Sequence, residues 1–320
     1  MKKNLLLIVL VCVLAFTVGA SGSNETAKST QYLNMVTGGT GGTYYAFGAD
    51  IANMLSKAVD GLEVTASIGN GSASNIRELN SGDADLAFSQ NDVATYAWNG
   101  TETFSGEKTT SFRVIANLYP EVVQCAYCDS TGINSINDFR GRRISIGAAG
   151  SGVYQSVVDF LDANGMKLDD ITGQYLSFSE SSDAIKNGQI DAAFVTAGIP
   201  NPAIQDLAAT RDIELLNLSD DAVAKLCASK PYVPYTIKAG TYPGQTKDAN
   251  TVAINALLLA SEKLDDDTVY GITKALFESK SLLTHDKAND VSLDSALSGY
   301  DVNMLHPGAA KYYKEKGLIK

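Results

Sequence analysis

Twice along this chain a short β-prone run empties into a glycine-rich loop that leads straight into apolar residues at helical spacing. That order of events leaves few folds open. In the first instance Tyr32–Val36 is followed by TGGTGGTYY and then by residues 46–59; in the second, residues 144–147 are followed by AAGSG and then by residues 153–164. Between them the alternation continues. Residues 62–68 read as a strand, GNGSASN as a loop with Ser72 and Ser74 as caps, residues 76–80 as a helix, and residues 84–88 as a strand running into SQND. Strands alternating with helices predict an α/β fold whose sheet is covered on both faces.

The chain has 320 residues, more than one hydrophobic core usually organises, so two domains are expected. Two apolar stretches flank Leu118-Tyr119-Pro120-Glu121, and the strand-loop-helix order restarts after them, which marks a lobe boundary. The second lobe continues through residues 173–178, 181–187 and 192–195, and ends near Pro231–Tyr235. From Ala239 a strand over residues 251–259 and a helix over residues 266–279 return to the first lobe. The expected division is residues 32–118 with 239–320 as lobe 1 and residues 119–238 as lobe 2. TGGTGGTYY and AAGSGVY, each leading into a helix, suggest that the lobes share one plan.

Residues 1–20 carry Lys2 and Lys3, an apolar run from Leu5 to Phe16, and Val18-Gly19-Ala20, the layout of a secretory signal peptide. The run is too short to span a bilayer. Cys12 lies inside it, so a lipid anchor is not expected, and the product should be periplasmic or extracellular. Residues 21–31 are polar and read as a flexible leader. A formal charge of -11 argues against nucleic acid and anionic membranes as partners.

Each glycine-rich loop feeds a helix N-terminus, where unpaired N–H groups and the helix dipole favour an anion. In the first, Gly41 and its neighbours let a ligand approach the backbone, Thr40 and Thr43 add hydroxyls, and Tyr44 adds an aromatic wall with a polar tip. In the second, Ala149, Ser151 and Gly152 repeat the arrangement, and Thr196 with the turn to Pro200 sits at another strand end. Gln90 falls where an α/β sheet presents its strand ends to a cleft and is read as a ligand contact; Asp92 is read as structural. The plainer readings are a tight strand-to-helix turn, or a nucleotide loop. The second fails for want of the full G-x-G-x-x-G pattern and of a GKS or GKT triplet.

No catalytic constellation is visible. His285 and His306 stand far in sequence from the glycine-rich loops and suit surface or packing roles. Cys125-Ala126-Tyr127-Cys128 lacks the second pair that zinc needs, and a bridge between residues three apart would require a bend in the strand. Arg140, Arg142 and Arg143 suit a solvated turn, and Asp265-Asp266-Asp267 suits the favourable charge of a helix start. No metal, no cofactor and no enzymatic activity are expected.

In order along the chain, TGGTGGTYY, SNIRELNSGDADLAFSQND, LYPE, GRRISIGAAGSG, LSFSES, NGQIDAAFVTAGIPNPAIQDLAATRDIELL, PYVPYTIKAGTYPGQ and LHPGAAKYY resemble the receptor subunits of TAXI-type TRAP transporters, over residues 32–317. The resemblance implies a two-lobed periplasmic binding protein fold, type II-like, with a ligand cleft between the lobes. It implies a monomeric receptor that captures a small carboxylate such as glutamate, glutamine or a related organic acid. That solute is delivered to a TRAP membrane permease driven by an ion gradient, with no chemical conversion. It also carries ligand contacts onto Thr40, Thr43, Tyr44, Ser72, Gln90, Ser151 and Pro200. Two departures stand out: Asn91 where such receptors commonly have Ser, and the CAYC stretch where they are usually apolar without cysteines. The alternatives are a receptor that docks on a sensor protein and an exported enzyme with the same fold.

Overall fold

A computed structural model describes residues 30–320. The expected signal peptide and most of the leader lie outside the described residues. The chain forms one ten-stranded mixed sheet, ordered β2-β1-β3-β10-β4-β7-β5-β6, with β8 also on β4 and β9 also on β10. The first half comprises β1 (Gln31–Val36), α1 (Thr43–Ala58), β2 (Leu62–Ser67), α2 (Ser72–Ser81), β3 (Leu86–Gln90) and α3 (Asn91–Asn99). The long β4 (Phe112–Cys128) leads into β5 (Arg143–Ser145), α4 (Val153–Ala163), β6 (Thr172–Gln174), α5 (Phe178–Lys186) and β7 (Ala192–Ala197). After α6 (Pro202–Ala208), β8 (Ile213–Leu215), α7 (Asp220–Ser229) and β9 (Val233–Ile237), a second long strand, β10 (Ala249–Ser261), carries the chain back to α8 (Asp266–Glu278) and α9 (Pro307–Glu315).

Both halves follow the same plan. β2, β1 and β3 are parallel and meet β10 antiparallel; β6, β5 and β7 are parallel and meet β4 antiparallel. The apolar cores divide along the same line. Within β4, Phe112, Ile115, Leu118 and Tyr119 join clusters with α1, α2 and α8, whereas Val122 joins a cluster with α5 and α6, and Val123 and Cys125 one with α4 and α7. In β10 the change comes between Ile254 and Ala256. The two changes lie opposite one another, since Ile254 pairs with Glu121 and Ala256 with Tyr119.

LYPE therefore does not interrupt the chain as its composition suggests. Pro120 sits inside β4, beside a register shift between Ala256 and Leu257 that leaves Leu118 without an opposite residue, the kind of irregularity at which a strand tolerates proline. β4 is apolar on both faces because helices cover both, which is why it shows no alternation. The expected caps of α2 are a further correction. Gly71 is the N-cap and makes no side-chain bond, while Ser72 Oγ accepts from Gln90 N at 3.0 Å and Ser74 Oγ donates to Glu78 at 3.3 Å.

Elsewhere the ends are conventional. Asp265 accepts from Thr268 N at 2.8 Å, and His306 caps α9 by accepting from Gly308 N at 3.1 Å. Cys125, Cys128 and Cys227 are free thiols, and Cys125 stays in regular register opposite Phe194. Among the described residues no helix is long and apolar enough to cross a membrane.

Candidate functional site

The carboxyl ends of both parallel sets point toward the line where the halves meet, and a cavity of ≈ 340 Å³ lies there. That is near the lower end of the roughly 300–1,000 Å³ typical of small-molecule sites, so it suits a small solute. One wall is the loop after β1 with the start of α1, and beside it the loop after β2 with the start of α2. The facing wall is the loop after β5 with the start of α4, and the start of α5. Gln90 at the end of β3, Thr196 at the end of β7, and Glu121 where β4 passes between the halves complete it.

The helix starts differ in a way that bears on charge. α1, α2 and α4 begin after Gly42, Gly71 and Gly152, all on the cavity wall, and none has a side-chain cap; α3 begins after Gln90, also on the wall and also without a cap bond. The other helices are capped by Ser177, Asn201, Ser219, Asp265 and His306. Uncapped N-termini from both halves thus turn their positive ends toward one space. Gln90 is only 2 % exposed, and its Oε1 has no hydrogen-bond partner; the Ser151 hydroxyl is buried in the same condition. Interchanging O and N in the Gln90 amide would leave a donor rather than an acceptor unmatched, so in either orientation it has capacity for a ligand.

Glu121, also 2 % exposed, contributes a carboxyl that accepts from Tyr44 OH. Burial raises its pKa to about 8, the Tyr44 hydrogen bond working the other way and the Asp92 carboxyl adding to the rise. Burial, with Glu121 beside it, likewise holds the Tyr44 phenol well above its ordinary value. Among the described residues no lysine or arginine lines the cavity.

The halves touch on either side of the cavity. Ser74 N donates to Gly150 O at 2.9 Å, Asn201 Nδ2 to Gly41 O at 3.1 Å, and Thr103 Oγ1 to Gln155 Oε1 at 3.1 Å. Lys230 Nζ lies 2.8 Å from Glu102 Oε1 and 3.4 Å from Asp159 Oδ1. Gly152 packs so tightly on Gln90 that any Cβ would overlap the Gln90 amide. The two halves are thus in direct contact around the cavity.

Of the residues singled out by sequence, Thr40, Thr43, Tyr44, Ser72, Gln90, Ser151, Gly152 and Thr196 line the cavity. Gly41, Ala149 and Pro200 do not. Gly41 is spent on the contact between halves, where a Cβ would come 2.5 Å from Ser179 Oγ, and Pro200 precedes the Asn201 cap that holds Gly41. Asp92 is fully buried and outside the lining. Sequence reasoning missed Glu121, Asn70 and the segment Ser177–Glu180. The last carries a readable signal, since Ser177-Phe178-Ser179-Glu180 is a capping box, and both of its bonds form.

Two α/β halves joined by paired long strands, with a cavity beneath both sets of strand ends, make up the fold of the periplasmic solute-binding proteins. The chain belongs to the NMT1-like family, which matches residues 35–317. Solved structures agree on the fold. The alkanesulfonate-binding protein SsuA from Xanthomonas axonopodis pv. citri, bound to MOPS, is 14% identical, with 91% of this chain and 95% of that chain covered at a TM-score of 0.53. A protein from Bordetella bronchiseptica RB50 is 16% identical, with 89% and 98% covered and a TM-score of 0.57. A putative L-cystine ABC transporter from Listeria monocytogenes is 15% identical, with 83% and 98% covered and a TM-score of 0.51.

Proposed function

We propose that this chain is the solute receptor of a membrane transporter, exported and acting as a monomer, which closes its halves over a small carboxylate and presents the closed form to a permease. The observation that carries the reading is the convergence of uncapped helix starts from both halves on a cavity that also holds the unmatched Gln90 amide and Ser151 hydroxyl. A carboxylate there would be bound by N–H groups and dipoles rather than by a cation. Contacts from both halves make ligand affinity and closure one free energy, because a ligand shifts the equilibrium only by binding the closed form better.

The ordered motifs of residues 32–317 support a TAXI-type TRAP system, with glutamate, glutamine or a related acid as the solute. We place the lobe crossings at residues 119–122 and 254–256, later in the second case than the sequence division at 239, because Tyr242 and residues 249–254 pack with the second half.

The test is the melting midpoint of the chain lacking residues 1–20 against a panel of carboxylic acids, amino acids, sugars and amines. A ligand specific to the folded form at a hundred times its Kd adds about 2.7 kcal/mol, a shift of several degrees. Stabilisation by carboxylates is the expected result. Stabilisation by another chemical class, with every carboxylate inert, would refute the reading.

A further inference from the structure

We infer that Glu121 receives a cationic amine, so that the cavity selects amino acids over carboxylic acids that lack the amino group. The inference rests on the carboxylate reading above and adds the second half of the ligand. The cavity wall carries two carboxyls: Glu180 is exposed and accepts from Ser177 N at 2.8 Å, whereas Glu121 is buried, and among the described residues no lysine or arginine lines the wall to match it. Around Glu121, Tyr44 OH donates to one carboxyl oxygen, Asp92 adds like charge from α3, and Tyr119 stands in the same strand with a buried hydroxyl that has no partner. Lys287 is paired with Asp290 at 3.1 Å, with its Nζ 6.0 Å from the centre of the Tyr119 ring.

A dicarboxylate laid across this space would put one end on the helix starts and the other against Glu121, which would then have to keep its proton. An α-amino acid resolves the conflict, since its carboxylate meets the helix starts and its ammonium meets Glu121. The high pKa of the free site fits this account: an acid kept partly neutral by burial becomes a stable anion once a cation sits beside it. Position adds a consequence. Glu121 pairs with Ile254 at the level where both long strands pass from one half to the other, so a ligand held by it is anchored to the joint as well as to both walls.

The test is calorimetric titration of the chain lacking residues 1–20 with L-amino acids, each compared with the acid that has CH2 in place of CH(NH3+), such as L-glutamate with glutarate. Removing the ammonium is expected to weaken binding about 30-fold or more. Glu121→Gln is expected to weaken the amino acid and bring the pair to within about three-fold. Melting of Glu121→Gln without ligand shows whether it is folded; if it is not, the wild-type comparison decides alone. Equal binding of both acids by the wild type, or an unchanged preference in folded Glu121→Gln, would overturn the role of Glu121 and leave the carboxylate reading standing. Binding of neither acid, with another chemical class bound instead, would overturn both.

Discussion

Gly152 offers the sharpest perturbation of closure. Its φ of -73° and ψ of -16° suit any residue, so the glycine is required by contact and not by backbone conformation. A Cβ at this position would overlap Oε1 and Cδ of Gln90 and lie 3.0 Å from Ser72 Oγ, both across the cleft. Gly152→Ala must therefore hold the halves apart or push the Gln90 amide into the ligand's space. Overfilling a close-packed contact costs about 1–3 kcal/mol, and here the cost falls on the closed form alone. Ligand affinity is expected to drop about 5- to 150-fold, while the midpoint without ligand shifts by less than about 2 °C. Titration calorimetry with a stabilising solute reads the first effect, and the ligand-induced fall in radius of gyration by small-angle scattering reads closure. Gly188→Ala is the control. Its φ of 68° strains an added side chain with nothing nearby to clash, so the midpoint should fall and affinity should not. Wild-type affinity and full compaction in Gly152→Ala would refute the reasoning.

Three further outcomes follow from the same geometry. Burial raises the Asp92 carboxyl from 3.8 to about 7. The folded chain thus keeps a proton that the unfolded chain has lost, and up to about 4 kcal/mol of stability disappears as pH rises through that window. Asp92→Asn should remove this loss, so that the gap between its midpoint and the wild type's widens from about pH 4 to about pH 7 and stays constant above; parallel pH profiles across that range would contradict the account. Lys230→Met removes the ion pair that Lys230 of the second half makes with Glu102 of the first, and should weaken ligand binding about 2- to 5-fold although no cavity residue changes. Unaltered affinity would remove Lys230 from closure. In the chain lacking residues 1–20, Cys125 should resist thiol reagents until the protein unfolds, since burial raises its pKa, and all three thiols should then react without reductant. Fewer than three would point to a disulfide.

The glycine-rich loops were legible because they are local: Gly, Ser and Thr cluster between two periodic runs, and strand-loop-helix order fixes which end of the sheet they occupy. The shared plan of the halves could be read from the same two loops. Glu121 was not legible. In sequence it is one acidic residue after a proline, a pattern that signals a turn. Its place in the cavity depends on β4 staying extended and pairing with Ile254, a contact that nothing near residue 121 encodes. The same holds for Gly41, which looked like a ligand contact and instead packs against Ser179 and Asn201 of the other half. We place the second crossing later than residue 239; residues 239–248 are turn-rich, a signal that marks a loop within the second half as readily as a return to the first.

The pairing of β3 with β10 also sets the order in which the molecule can be completed. Gln90 lies opposite Ala256, and Asn255 N donates to Asn91 Oδ1 across a separation of 164 residues. The sheet of the first half, begun at residue 31, stays open along β3 until β10 arrives. The second half needs nothing beyond residue 254 for its own clusters and can assemble earlier, as a unit nested inside an unfinished one. So long a closure is slow. A chain cut before residue 256 would carry a nearly whole second half beside a bare strand edge in the first, the kind of edge that templates aggregation. Loss of the chain beyond residue 255 is therefore expected to give aggregation rather than one intact half.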